Sequence, residues 1–121
     1  AQQALDAWEA AVAASAIRHI NKSLQILKAG TEDETNFSLK NYGKSWSQAK
    51  GFALSFQFNP HSRMSAEDFA VLHELLGMAP TLPGEDAHLY RDSLLAARAL
   101  LGETYAFPEV NWGDDEGKNG W

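Results

Sequence analysis

The chain contains no cysteine, which excludes disulfides, thiolate metal sites and a cysteine nucleophile. It also lacks any apolar run approaching the roughly 18 residues that a membrane-spanning helix needs. Basic residues are scarce. Ten Lys and Arg stand against 16 Asp and Glu, for a formal net charge of −6. That balance argues against nucleic acid, whose partners neutralise phosphate with Lys and Arg. It argues equally against a polybasic membrane contact. There is no Gly-x-Ser-x-Gly elbow, phosphate loop or dinucleotide fingerprint. His73-Glu74-Leu75-Leu76 begins like a zincin helix, but Gly77 stands where the second histidine belongs. No signal peptide or initiator Met is present, and Ala1 already lies in a helical pattern. The expectation is a processed or truncated product, whose missing export signal says nothing about location.

What is present reads as one all-α domain, 121 residues long and 45% hydrophobic. Residues 1–102 are expected to form a helical bundle of about four helices, with residues 103–121 as an extended, acidic C-terminal tail. The first helix is expected over Ala4 to Ala29, because Leu5, Trp8, Val12, Ala16, Ile20, Leu24 and Leu27 recur at helical spacing. Gly30 is read as its stop. The second runs from Ser38 to Phe58 on the stripe Leu39, Tyr42, Trp46, Ala49, Ala53 and Phe56, and Asn59-Pro60 ends it. The alternation over 52–58 also fits a strand, but the longer helical stripe outweighs it. Gly43, Ser47, Gly51 and Ser55 form a stripe of small residues on another face. Two glycines inside a helix cost about 1 kcal/mol each against Ala, so close approach of a neighbouring backbone is expected there.

The third helix starts at Ser65, an N-cap with Asp68 three positions on, and Met64 and Phe69 flank it as a hydrophobic staple. Phe69, Leu72, Leu75 and Leu76 carry its buried face, and Gly77 and Pro80 terminate it. The fourth covers Glu85 to Leu101 on Tyr90, Leu94, Ala97 and Leu101, closed by Gly102. In the tail, Phe107-Pro108 and Trp112 are apolar anchors, so it either packs on the bundle or frays. Short connections favour an antiparallel up-down bundle. The generous apolar stripes leave a further surface to be covered by upstream chain or by a partner subunit.

Of His19, His61, His73 and His88, none makes a recognisable metal motif. His19 flanks the stripe of the first helix. It reads either as a hydrogen-bonded helix-flank residue or as a metal ligand or acid/base facing the interior. Glu32-Asp33-Glu34 and Asp114-Asp115-Glu116 lack the ligand order of a calcium loop and read as solvated charge. Core packing accounts for Trp8, Trp46, Tyr42, Phe52, Phe56 and Phe58 more economically than a ligand cage.

Three stretches carry a family resemblance: Arg18-His19-Ile20-Asn21-Lys22, then Trp46 to Pro60, then Phe69 to Pro80. The most distinctive is Trp46-Ser47-Gln48-Ala49-Lys50-Gly51-Phe52 followed by Asn59-Pro60. In this order the chain resembles the C-terminal part of an imelysin-like family of exported bacterial proteins, over about residues 10 to 82. The resemblance implies a helical bundle, a periplasmic or outer-membrane-associated location, often through lipid attachment of the precursor, and a link to iron or other metals. Two features depart from it. The Gly-x-His-x-x-Glu pattern of imelysin proper is absent, and Ser47-Gln48 stands where related helices carry Ser-Glu.

The leading expectation is therefore a non-enzymatic envelope protein that binds a metal species or a partner polypeptide. The interaction surface is expected at Gly43, Trp46, Ser47, Gly51 and Ser55. The alternative is a structural or assembly subunit docking its apolar helix faces onto another chain. An imelysin-type metallopeptidase comes last, since it needs a metal-bound water and a base.

Overall fold

Helix α1 spans Gln2–Glu32, and its apolar residues fall on more than one line. Val12, Ala16, Ile20, Leu24 and Leu27 are buried as the stripe requires. Ala13, Ile17 and Asn21 form a second buried line, continuous with Glu9 at steps of four. Leu5 and Trp8, expected on the buried stripe, are instead exposed, because residues 2–8 extend past the layer that the other helices cover. The computed structural model describes residues 2–121. Among them lie four α-helices and three short 3-10 segments, with no strand.

Helix α2 covers Leu39–Leu54 and continues as a 3-10 turn over Ser55–Phe58. Ser38 caps it by accepting from the Asn41 N–H at 3.2 Å. Helix α3 covers Ala66–Leu76, and the Ser65 hydroxyl accepts from the Asp68 N–H at 3.0 Å, as the cap signature predicts. Gly77 ends it at φ +77, a conformation that favours glycine. Helix α4 covers Ala87–Thr104 and buries Tyr90, Leu94, Ala97 and Leu101.

The helices alternate in direction. Gly30 of α1 lies against Phe37, His19 against Phe52 and Glu9 against Asn59, so α1 and the segment carrying α2 run antiparallel. Asn21 meets Arg98 and Glu9 meets Tyr105, so α4 also opposes α1. Burial of each Leu or Ile in the shared core contributes roughly 1.5–3 kcal/mol. Wholly buried Tyr42 and Phe56 add larger apolar surfaces.

Two glycines expected as helix stops serve packing instead. Both α1 and α4 continue through them, to Glu32 and Thr104. A Cβ at Gly30 would lie 2.7 Å from Phe37 Cδ2 and 2.8 Å from Pro83 Cγ. One at Gly102 would lie 2.1 Å from the Trp112 indole.

Residues 103–121 pack on the bundle. The Phe107 N–H donates to Gly102 O at 2.9 Å, and Trp112 Nε1 donates to Phe107 O at 3.1 Å. Phe107 and Trp121 meet edge to face at 4.7 Å. The segment then crosses α1, where a Cβ at Gly117 would lie 2.3 Å from Asn21 O.

Candidate functional site

Three networks hold most of the hydrogen-bonded polar side chains that the fold takes out of water. At the end where α1 begins, Glu9 is 1% exposed. Its Oε1 accepts from Asn59 Nδ2 at 3.0 Å, and its Oε2 accepts from the Arg63 N–H at 2.9 Å and the Tyr105 hydroxyl at 2.7 Å. A buried carboxylate is tolerated only when it is bonded in this way. Burial, and then the bond to Glu9, push the Tyr105 phenol far up, so it keeps its proton and donates. Glu9, Asp6, Ala10, Arg63 and Tyr105 line a cleft of about 210 Å³. Both oxygens of Glu9 are engaged in joining α1 to the turn after α2 and to the end of α4. That arrangement holds three segments together and leaves no idle oxygen to act as a base.

Midway along the bundle, Arg98 Nη1 donates to Asn21 Oδ1 and to Asp114 O, each at 2.7 Å. Asn21 Nδ2 donates to Trp112 O at 2.8 Å and Trp121 O at 3.1 Å. Burial lowers the Arg98 pKa, an effect that Asp115 and Asp114 oppose. At the opposite end from Glu9, Trp46 Nε1 donates to the Tyr90 hydroxyl at 2.7 Å and to Leu76 O at 3.2 Å. The Tyr90 hydroxyl donates to Leu76 O at 2.7 Å, and burial raises its pKa to about 12.

The sequence-expected surface divides. Trp46 turns inward to the α3 terminus and is half-buried. Gly43, Ser47, Gly51 and Ser55 stay partly or fully exposed, and a Cβ at Gly43 or Gly51 would meet nothing within 4 Å. The close backbone approach expected for this stripe does not occur within the chain. Ser55 is occupied by its own helix, with its hydroxyl donating to Phe52 O at 2.6 Å.

His19 is half-buried and stacks on Phe52, with ring centroids 5.7 Å apart and planes at 12°. Its Nδ1 is buried without a hydrogen-bond partner among the described residues. Burial lowers its pKa, and Arg18 and Lys22 lower it further. Both ring nitrogens of His73 are buried without a hydrogen bond of good geometry among the described residues, the Ala53 backbone being the polar group that acts on the ring. The ring lies 4.4 Å from Phe69, centroid to centroid. Its pKa also falls, first from burial. Among the described residues, no three His, Asp or Glu side chains converge in a way that could hold a metal ion. His61 and His88 are exposed, as is the acidic run at residues 32–34. In the other run, the Asp114 carboxylate is spent on the Glu116 and Lys118 N–H groups and the Asn119 amide.

Sequence reasoning missed Glu9, Asn21 and Arg98. The signal was present as lines of residues at steps of four: Glu9, Ala13, Ile17 and Asn21 on α1, and Tyr90, Leu94, Arg98 and Gly102 on α4. All eight are buried. A polar residue continuing an apolar line is the sequence mark of a buried polar group, bonded here through Glu9, Asn21 and Arg98 Nη1. Arg98 Nε has no hydrogen-bond partner among the described residues.

One surface property remains after the interior is accounted for. Large apolar side chains stand exposed where α1 begins and α2 finishes: Leu5, Trp8, Leu54 and Phe58, the last 75% exposed. The Glu9–Asn59 bond puts these residues at the same end of the bundle. No helix among the described residues is long and apolar enough to cross a membrane. Compared with known proteins, the chain matches no family model, no curated protein and no solved structure.

Proposed function

We propose that this chain is a non-catalytic helical module of an imelysin-like envelope protein, acting by contact with another polypeptide. The observation that carries the contact is the exposure of two aromatic side chains, Trp8 and Phe58, together with Leu5 and Leu54, at one end of the bundle. Exposed aromatics of this size are the side chains that supply most of the energy at protein interfaces. The partner surface is apolar, with concavities that accept an indole and a phenyl ring. Support for the envelope assignment is the motif resemblance across Arg18 to Pro80 together with the all-α bundle it implies. The interior polar groups favour a binding role over catalysis, since Glu9, Asn21 and Arg98 are each committed to holding segments of the chain.

Site-directed photo-crosslinking in cells that make the whole protein tests this. A crosslinker in place of Phe58 is expected to give a discrete adduct with another polypeptide, while one in place of Gly51 gives none. An adduct at neither position, with the protein intact and present, would overturn the docking reading. Cell fractionation of the same cultures tests the envelope assignment separately: recovery in the cytosol alone would sink it.

A further inference from the structure

Six asparagines occur in the chain, and Asn119 alone is followed by glycine. That pair is chemically labile, because glycine has no side chain to shield its backbone nitrogen from the neighbouring Asn carboxamide. Here the fold dictates both members. Asn119 sits at φ +62, a conformation that Gly, Asn and Asp adopt and other residues resist. Its Nδ2 also donates to Asp114 Oδ2 at 3.0 Å, a contact that glycine cannot make. At Gly120, a Cβ would lie 2.2 Å from Gly113 N and 2.8 Å from Asn111 O. These are backbone atoms that cannot step aside, so no larger residue fits. Both residues are exposed to water.

We propose that Asn119 is a site of spontaneous deamidation, with water as the co-reactant, and that the folded tail retains this labile joint because its backbone accepts no substitute. The Gly120 nitrogen attacks Asn119 Cγ, forming a Cγ–N bond. The Cγ–Nδ2 bond breaks, and Nδ2 leaves as ammonia with the proton that the Gly120 nitrogen gives up. The result is a five-membered imide. Water then adds to either ring carbonyl and opens the ring, leaving aspartate or isoaspartate at position 119. No group is oxidised or reduced.

The native contacts restrain the first step. Asp114 holds the Asn119 amide, and the Trp121 N–H donates to Asn111 O at 2.9 Å, fixing the backbone on the far side of Gly120. Attack therefore passes through a local opening of the tail, an event drawn from the low-stability end of a protein's fluctuations. The product does not close again in the same way. A carboxylate at position 119 faces Asp114 where a donor stood, and isoaspartate adds a main-chain carbon where Gly120 lies against Gly113. Both changes pull Trp121 away from Asn21, so deamidation loosens the tail in one direction only.

The test is incubation of the full chain at neutral and mildly alkaline pH, followed by peptide mass spectrometry and an isoaspartate assay. Conversion is expected at Asn119 well ahead of the exposed Asn41, at a rate about tenfold or more below that of the urea-unfolded chain. Asp114→Ala, which frees the amide, is expected to bring the native rate several-fold closer to the unfolded one. Native Asn119 converting no faster than Asn41 would overturn the assignment. The loosening has its own readout: chain isolated with aspartate at 119, or the variant Asn119→Asp, is expected to be cut faster within residues 103–121 by protease. Equal cutting of modified and unmodified chain would overturn that part.

Discussion

Arg98 of α4 and Asn21 of α1 are joined at 2.7 Å, and each also holds the C-terminal segment, Arg98 through Asp114 O and Asn21 through Trp112 O and Trp121 O. The pair is thus a clamp with two jaws. Its amide and guanidinium supply the donors that the carbonyls of a turn-rich segment cannot find among themselves.

Asn21→Leu is expected to cost about 2–4 kcal/mol, since it takes the donor from two carbonyls at once and leaves the buried Arg98 Nη1 with one acceptor in place of two. Urea unfolding should show the loss, and limited proteolysis should begin in residues 103–121. Unchanged proteolysis of the tail with lowered global stability would show that the pair braces the helices rather than the tail.

Gly102→Ala places a methyl where the Trp112 indole lies. Overpacking of this kind costs about 1–3 kcal/mol. Because the clash is with one ring, combining the change with Trp112→Leu should give less than the sum of the two single losses. Strict additivity in thermal unfolding would remove the clash as the cause.

Tyr105→Phe removes the hydroxyl that donates to Glu9 and leaves the carboxylate with two partners in place of three. Hydrogen bonds to a charged group contribute about 1.5–3 kcal/mol, and a loss of that size is expected in urea unfolding. Glu9→Ala should exceed it, because it strands the Asn59 amide, the Tyr105 hydroxyl and the Arg63 N–H together.

Stability should fall as pH drops below the ordinary histidine value of 6.5. His73 has its folded pKa lowered by burial and, less, by Lys50 of α2; His19 is lowered by burial, Arg18 and Lys22. The unfolded chain therefore takes up the protons first, which favours unfolding. Stability is retained above the unfolded pKa and declines as pH falls through it towards the folded value. Urea midpoints at about pH 7.5 and about pH 5.5 check this. His73→Gln should reduce the difference between them, and an equal drop in that variant would contradict the assignment.

The helices were legible because apolar spacing and local caps act within a few residues. Val12 to Leu27, Tyr90 to Leu101 and the Ser65 cap all stand where periodicity and cap chemistry put them. Gly30 and Gly102 misled because the same residue serves a helix stop and a close contact. What decides between the two is the ring packed against it, Phe37 in one case and Trp112 in the other. Leu5 and Trp8 fit the α1 stripe in spacing, yet burial depends on where the neighbouring helices end, which no local pattern encodes. The tail was opaque for a related reason: its order depends on Asn21, about a hundred positions earlier, and on Arg98.

The bond from Asn21 to the Trp121 carbonyl spans 100 positions of sequence. Contacts so distant are slow to form, because chain entropy is surrendered before they return anything. The helical hairpin of α1 and α2 closes over a short loop and is expected to form early, whereas this seal is expected only after α4 has brought Arg98 alongside Asn21. Trp121 thus works as a completion mark. Its amide should be among the last to gain protection from hydrogen exchange during refolding, and the docked indole marks a chain that has finished folding.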